Sequence, residues 1–177
     1  MIHSQDRSGW FGASDTARIM GNWGTETFLR WWLEKLGYPT HRIVTRSMAA
    51  GKYYEHRILD AAGIKHRDRQ IRIPRLRLRV NLDGEDWRTV YEVKTFKTVF
   101  RPKQYYGQCQ VEMFATQKNL QILSYRLTEA EYSNFFLSID LDRMNYTKVA
   151  YDSEYIDAYL DRLKYLAKCL KEGRTPS

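Results

Sequence analysis

Cysteine is nearly absent: the 177 residues include only Cys109 and Cys169, with no CxxC. That excludes a disulfide scaffold, a cysteine-ligated zinc ribbon and an iron–sulfur cluster. The four histidines, His3, His41, His56 and His66, show no zinc-ligand spacing either. No run of about 18 apolar residues is present, so no membrane helix is expected. The polar stretch Met1 to Trp10 also lacks a signal peptide's hydrophobic region, and a cytoplasmic protein is the expectation. Proline and glycine are sparse, at 4 and 10 residues. No repeat, low-complexity tract or linker interrupts the chain, which predicts one domain over 1–177. Hydrophobic residues make up 43% of the chain and aromatics 14%, enough for a packed core and too many for a disordered basic tail. Lys and Arg number 29 against 21 Asp and Glu, a net charge of +8. A surplus of that sign on a compact domain most often serves a polyanion, usually nucleic acid.

Helix signals open the chain. Ser14 is placed to cap a short helix ending at Gly21. Thr25 is placed to cap a second, whose apolar residues Phe28, Trp31, Trp32 and Leu36 recur at helical spacing before Gly37. A third is expected from about Ala49 to Ala62, carrying Glu55 and stopping at Gly63. The period then changes to two. From Ile71 onward Leu76, Leu78, Val80 and Leu82 share one face, and Arg75, Arg77, Arg79 and Asn81 the other, which predicts a strand with one basic face. An Asp83-Gly84 turn and a second alternating run from Thr89 to Phe96 predict a hairpin. A helix from Pro102 to about Thr116 and a strand over Leu120–Leu127 follow. Thr128 with Glu131 then forms a capping box opening a helix through Leu137, a strand covers Met144–Tyr151, and an amphipathic helix runs from Ser153 to near Gly173. This order indicates an α/β class. Trp23, Trp31 and Trp32 read as core or interface residues and not as a base-stacking platform.

Period two places Val90, Glu92 and Lys94 on one face of a run that is otherwise apolar or β-branched. Such a strand looks central, where an unpaired charge costs several kcal/mol. Glu92 and Lys94 can pair with each other or share a cation with Asp83. A net negative oxygen pocket suits a hard divalent cation, and phosphodiester hydrolysis uses such a cation to activate water and neutralise the phosphate.

The motifs N-L-D-G (Asn81 to Gly84) and E-V-K (Glu92 to Lys94) come with W-F-G-A-S-D (Trp10 to Asp15), G-K-Y-Y-E (Gly51 to Glu55) and Y-Y-G-Q-C-Q-V-E-M (Tyr105 to Met113). Together they resemble the PD-(D/E)XK nucleases, specifically the lambda-exonuclease-like, YqaJ-type viral recombinase branch, over Arg7 to about Gln117. The resemblance implies a restriction-endonuclease-like α/β core, a central mixed β-sheet flanked by helices. It implies a Mg²⁺-dependent deoxyribonuclease, with Mn²⁺ able to substitute. Such an enzyme degrades linear duplex DNA from its ends, 5′→3′, for phage-type homologous recombination in a bacterial or phage-infected cell. By position, Asp83, Glu92 and Lys94 would be catalytic. Asp83, Glu92, the Val93 carbonyl and Glu55 would hold the metal. Arg7, Ser14 and Gln108 would grip a terminal 5′-phosphate, and Met48 would be an apolar wedge at the duplex end. The same resemblance implies a single-strand annealing protein as partner and a homo-oligomeric ring, a trimer, around DNA.

Leu82 stands where the family has proline before the aspartate, and Thr95-Phe96 where Cys-Pro often follows the lysine; neither change removes a ligand. The residues keep simpler readings too: Ser14 as a cap, Gln108 as a surface amide, Met48 as a plain loop or core methionine. Another endonuclease of the same fold and a non-catalytic DNA-end-binding module are the alternatives. The stretch Lys65 to Arg79, with seven Lys/Arg against Asp68 alone, is a solvated strand face or a track for the DNA backbone.

Overall fold

The computed structural model describes residues 8–39 and 45–176. In chain order its elements are β1 (Phe11–Gly12), α1 (Thr16–Ile19), α2 (Glu26–Lys35), α3 (Arg46–Ala61), β2 (His66–Arg67), β3 (Gln70–Ile73), β4 (Leu78–Asn81), β5 (Gly84–Glu85), β6 (Thr89–Phe96), α4 (Tyr106–Thr116), β7 (Asn119–Arg126), α5 (Glu129–Ser133), β8 (Met144–Val149) and α6 (Ser153–Glu172). The strands form a mixed five-stranded sheet, β2-β5-β6-β7-β8, and a three-stranded sheet, β1-β4-β3. The central mixed sheet with flanking helices is thus present, and β6 lies inside it, antiparallel to β5 and parallel to β7. No helix among the described residues is long and apolar enough to cross a membrane.

Short side chains set several helix starts by accepting a backbone N–H that the helix leaves over. Thr25 accepts from Phe28 at 3.1 Å, Thr45 from Met48 at 3.2 Å, and Asp152 from Tyr155 at 2.9 Å. Ser14 does not cap. It lies inside a 3₁₀ turn, Ala13–Asp15, that follows Gly12, and the Gly12 N–H is taken by Asp15 Oδ2 at 2.8 Å.

Three further expectations are corrected. The alternation from Ile71 predicts one long strand, but Pro74 has no N–H to give a ladder and opens a 3₁₀ turn, with Arg77 left-handed at φ 51°. The chain doubles back there, so β3 and β4 pair with each other, Arg72 opposite Arg79, and β4 also pairs in parallel with β1. The predicted hairpin with β6 is made by the short β5 instead. The helix at Thr128 has both halves of its capping box but ends at Ser133, where Asn134 turns extended.

One core joins Phe11, Trp32, Leu78, Val80, Val90, Ile122 and Leu163, all fully buried, between the sheets and α1, α2, α4 and α6. The tryptophans of α2 are core residues, as their spacing predicts. A second core packs Tyr54, Ile58 and Leu59 of α3 against Val93, Leu123 and Tyr125 on the opposite face of the large sheet. Gly84 lets these layers close: a Cβ there would stand 2.6 Å from a Leu59 methyl. This contact fixes the backbone next to Asp83.

A buried carboxylate on α5 ties that helix to β7 and to Arg143 just before β8, while the Tyr54 hydroxyl of α3 donates to the Glu131 backbone carbonyl. Glu131, 1% exposed, accepts from the Tyr125 hydroxyl at 2.6 Å, the Thr128 N–H at 2.7 Å and the Arg143 guanidinium. Burial alone would raise its pKa, but these donors, Arg143 foremost, hold it down to about 2. A depressed folded-state value stabilises the fold above the unfolded value, and that contribution is lost as pH falls from there toward about 2. Glu131→Gln is therefore expected to cost on the order of 3 kcal/mol at pH 7. Urea melts should show the gap to wild type closing as the pH approaches about 2.

Candidate active site

Pairing between β5 and β6 stops at Gly84 opposite Tyr91. Beyond that point one edge of β6 has no strand beside it among the described residues, and Asp83 fills the gap: its Oδ2 accepts the Val93 N–H at 2.9 Å. The N–H and C=O of one strand residue face the same edge, so the Val93 carbonyl is directed toward the side where Asp83 sits. Glu92, 1% exposed, points to the α4 face. Its Oε1 is paired with the Lys94 ammonium and also accepts from Gln108 Nε2 at 2.6 Å. Gln108 gives the same nitrogen to Glu112 Oε1 at 2.8 Å, clamping the two acids together. Lys94 lies 4.9 Å from the centre of the Tyr105 ring.

The outer oxygens of Glu92 and Glu112 are buried and, among the described residues, have no hydrogen-bond partner. Buried carboxylate oxygens of this kind are rare because they forfeit hydration without replacement. Their electrostatic surroundings agree. Burial, and then the charge of Glu92, pushes Asp83 and Glu112 well above the usual carboxylate range and raises Glu55. Burial pulls the Lys94 ammonium the other way, but Glu92 and Asp83 outweigh it and hold the proton more tightly than on an ordinary lysine. Carboxylates perturbed by burial and by each other around one amine mark a functional site more often than a structural one.

The donor set fits a hard divalent cation. Asp83, Glu92 Oε2 and the Val93 carbonyl offer oxygen only, and the unpartnered Glu92 Oε2 has its negative charge to share. Glu55 belongs to the same electrostatic group, yet its carboxylate converges within 4.8 Å on His56 and Asp68. No group that tight joins Glu55 to Asp83 and Glu92 among the described residues.

The proposed phosphate-binding residues divide. Arg7 lies outside the described residues. Ser14 and Gln108 line one small cavity of about 80 Å³ together with Arg79, Asn81 and Lys35. The parallel pairing of Gly12 with Arg79 brings these together. Lys35 is committed to Asp15 at 2.7 Å, with both side chains buried. Met48 is 59% exposed on the first turn of α3 and does not line that cavity. Glu112, Arg79 and Asn81 are site residues that the sequence reading does not assign. Glu112 lies four residues after Gln108, one helical turn along the same face, and that spacing was its available signal.

Neither a protein-family model nor a curated protein matches the chain. Solved structures do. The alkaline exonuclease LHK-Exo of Laribacter hongkongensis superposes with a TM-score of 0.70 at 17% identity, covering 94% of this chain and 90% of that one. LHK-Exo in complex with dAMP gives 0.69 at 18% identity, over 93% and 89%. A phage-related exonuclease from Haemophilus somnus 129PT gives 0.60 at 14% identity, over 92% and 96%. The chain has the fold of these exonucleases. The likeness runs through the C-terminal segment, where the motifs give no match, and it agrees with the restriction-endonuclease-like α/β class expected from them.

Because the perturbed carboxylates bind protons more tightly folded than unfolded, stability of the cation-free protein falls as pH rises above the unfolded range of about 4. Cations compete with those protons. Millimolar Mg²⁺ or Mn²⁺ is therefore expected to raise the melting temperature more at pH 8 than at pH 5; where the cation is in hundredfold excess over its Kd, the stabilisation is about 2.7 kcal/mol. Glu92→Gln should remove most of the shift. No shift at pH 8 would exclude a cation at this site.

Proposed function

We propose that this chain is a divalent-cation-dependent deoxyribonuclease that degrades linear duplex DNA from its ends in the 5′→3′ direction, of the type used in phage recombination. One observation carries the reading: Asp83 and Glu92 meet at the open edge of β6, with a buried, unpartnered Glu92 oxygen and the Lys94 ammonium beside them. The fold shared with LHK-Exo and the phage-related exonuclease supports it, as does a net charge of +8 suited to a polyanion. That LHK-Exo has been solved with dAMP fits a deoxynucleotide substrate here as well.

Mg²⁺ or Mn²⁺ held by Asp83, Glu92 and the Val93 carbonyl would supply Lewis acidity and a more acidic water. The protein's own groups do the rest. Lys94 orients the attacking water and offsets charge as it builds on the phosphate. Gln108 holds Glu92 in place. Ser14, with Arg79 on the facing strand, lines the cavity that would take a terminal phosphate. That cavity favours end-directed cleavage over an endonuclease. The intact Asp83, Glu92 and Lys94 argue against a non-catalytic DNA-end-binding module.

Incubation with linear and circular duplex, in Mg²⁺ or in EDTA, is the direct test; the linear form alone should be degraded, and only with metal. Lys94→Ala should bind DNA ends while cleaving them roughly 10²–10⁴-fold more slowly. Undiminished cleavage would falsify the assignment. A 5′-phosphorylated duplex should be consumed faster than the 5′-hydroxyl form, and Ser14→Ala should narrow the difference; equal rates for the wild type would favour the endonuclease. Light scattering with and without DNA tests the ring, which a monomer mass in both conditions excludes.

A further inference from the structure

Away from the carboxylates, a groove of about 540 Å³ opens between the β3–β4 turn and α6. Arg75 and Arg77 form one wall, and Lys164, Lys168 and Lys171 the other; Trp10 also lines it, and among the described residues no acidic one does. The lysines fall at i, i+4 and i+7, a single face of the helix, turned toward the arginines. Of the five cations, Lys164 alone makes an ion pair among the described residues, with Asp161 at 3.3 Å, and that pair is exposed; Glu172, paired with Arg174, is the one carboxylate whose charge also acts on Lys168 and Lys171. The helix macrodipole accounts for a lysine in the last turn of α6. It does not account for two arginines on the facing turn. Like charges gathered this way repel one another unless an anion lies between them.

The groove is also connected to the site. Trp10 lines both this groove and the small cavity that holds Ser14, Gln108 and Arg79. Arg72 lies over the half-buried Trp10 indole, 5.8 Å from the ring centre, which leaves the other face of the ring for a base; an aromatic ring beside a row of cations suits single-stranded nucleic acid, because cations follow the phosphates and the ring stacks on an unpaired base. Away from its ends a duplex keeps its base faces stacked internally and has none to offer the indole.

We propose that this groove binds single-stranded DNA. Phosphates lie along Arg75, Arg77, Lys168 and Lys171, and a base stacks on Trp10. This rests on the nuclease reading only for the strand's origin: an enzyme that consumes one strand of a duplex leaves the other unpaired beside the site, and the groove takes that uncut strand.

The test is fluorescence anisotropy of a labelled oligothymidylate, in EDTA so that nothing is cleaved. K168E/K171E is expected to weaken binding at least tenfold and to lower the slope of log Kd against log salt by about 1.4, at about 0.7 per lost phosphate contact. Both lysines are exposed, so the fold should tolerate the change. Trp10→Ala should weaken binding about fivefold or more with little change in slope, since stacking is not a charge effect. The charge-matched R88E/K148E, whose residues do not line the groove, should bind as wild type does. Wild-type affinity in K168E/K171E would overturn the proposal. So would equal losses on single strand and on blunt duplex, which would make the groove a duplex surface. Because nothing is cleaved, a protein without nuclease activity that still shows these effects removes the proposed function and leaves the groove. An active nuclease without them does the reverse.

Discussion

The early end of one strand pairing governs the chemistry of this molecule. Had β5 continued beside β6, the Val93 N–H and carbonyl would be committed to a ladder. Glu92 and Lys94 would then sit on an ordinary central strand with a large desolvation cost to meet. Because β5 stops opposite Tyr91, Asp83 can hold the freed Val93 N–H with its carboxylate. One side chain thereby satisfies the exposed edge and brings a second negative charge to Glu92. Gly84 makes this possible on the other side, since only a residue without a side chain lets β5 press against Leu59 and Ile64.

Burying acids so close together carries a cost that their neighbours meet only in part. Glu92 is neutralised by Lys94 and held by Gln108, which in turn holds Glu112. Burial, and then the charge of Glu92, raises the proton affinity of Asp83 and Glu112 well above that of ordinary carboxylates. The two unpartnered oxygens are what that compromise leaves over. A site built for stability alone would replace such acids with apolar residues of the same volume, often at no loss. Retaining them implies a function for the charge.

Much of this was legible in the sequence where a single local rule decided the outcome. The alternation around Glu92 fixed its face, the Thr128–Glu131 spacing fixed a capping box, and the spacing of Trp31 and Trp32 fixed them in the core. Reading failed where two rules competed. Leu76, Leu78, Val80 and Leu82 are all buried as their period requires, yet Pro74 breaks the strand before them, and the pattern of buried faces does not reveal which strand each half joins. Arg79 was visible as part of a basic face, but its place in the cavity with Ser14 depends on a parallel pairing between β1 and β4 that no local signal encodes. Glu112 was hidden differently: its one-turn spacing from Gln108 is a weak signal among the apolar residues of a helix, and it gains meaning only once Gln108 is seen across from Glu92.

The electrostatics also bear on what Lys94 can do. With Asp83 and Glu92 facing it, Lys94 keeps its proton more firmly than a lysine in water, and in that condition it can donate hydrogen bonds but not accept a proton. The two acids impose this hold, and the same two acids have the oxygens suited to a divalent cation. When those oxygens are engaged elsewhere, Lys94 loses the charges that raised its pKa, while burial, which works in the opposite direction, stays. A divalent cation held by those oxygens would therefore lower the proton affinity of Lys94, while the ammonium is the form suited to orienting a water and offsetting charge on a phosphate, the role proposed for it.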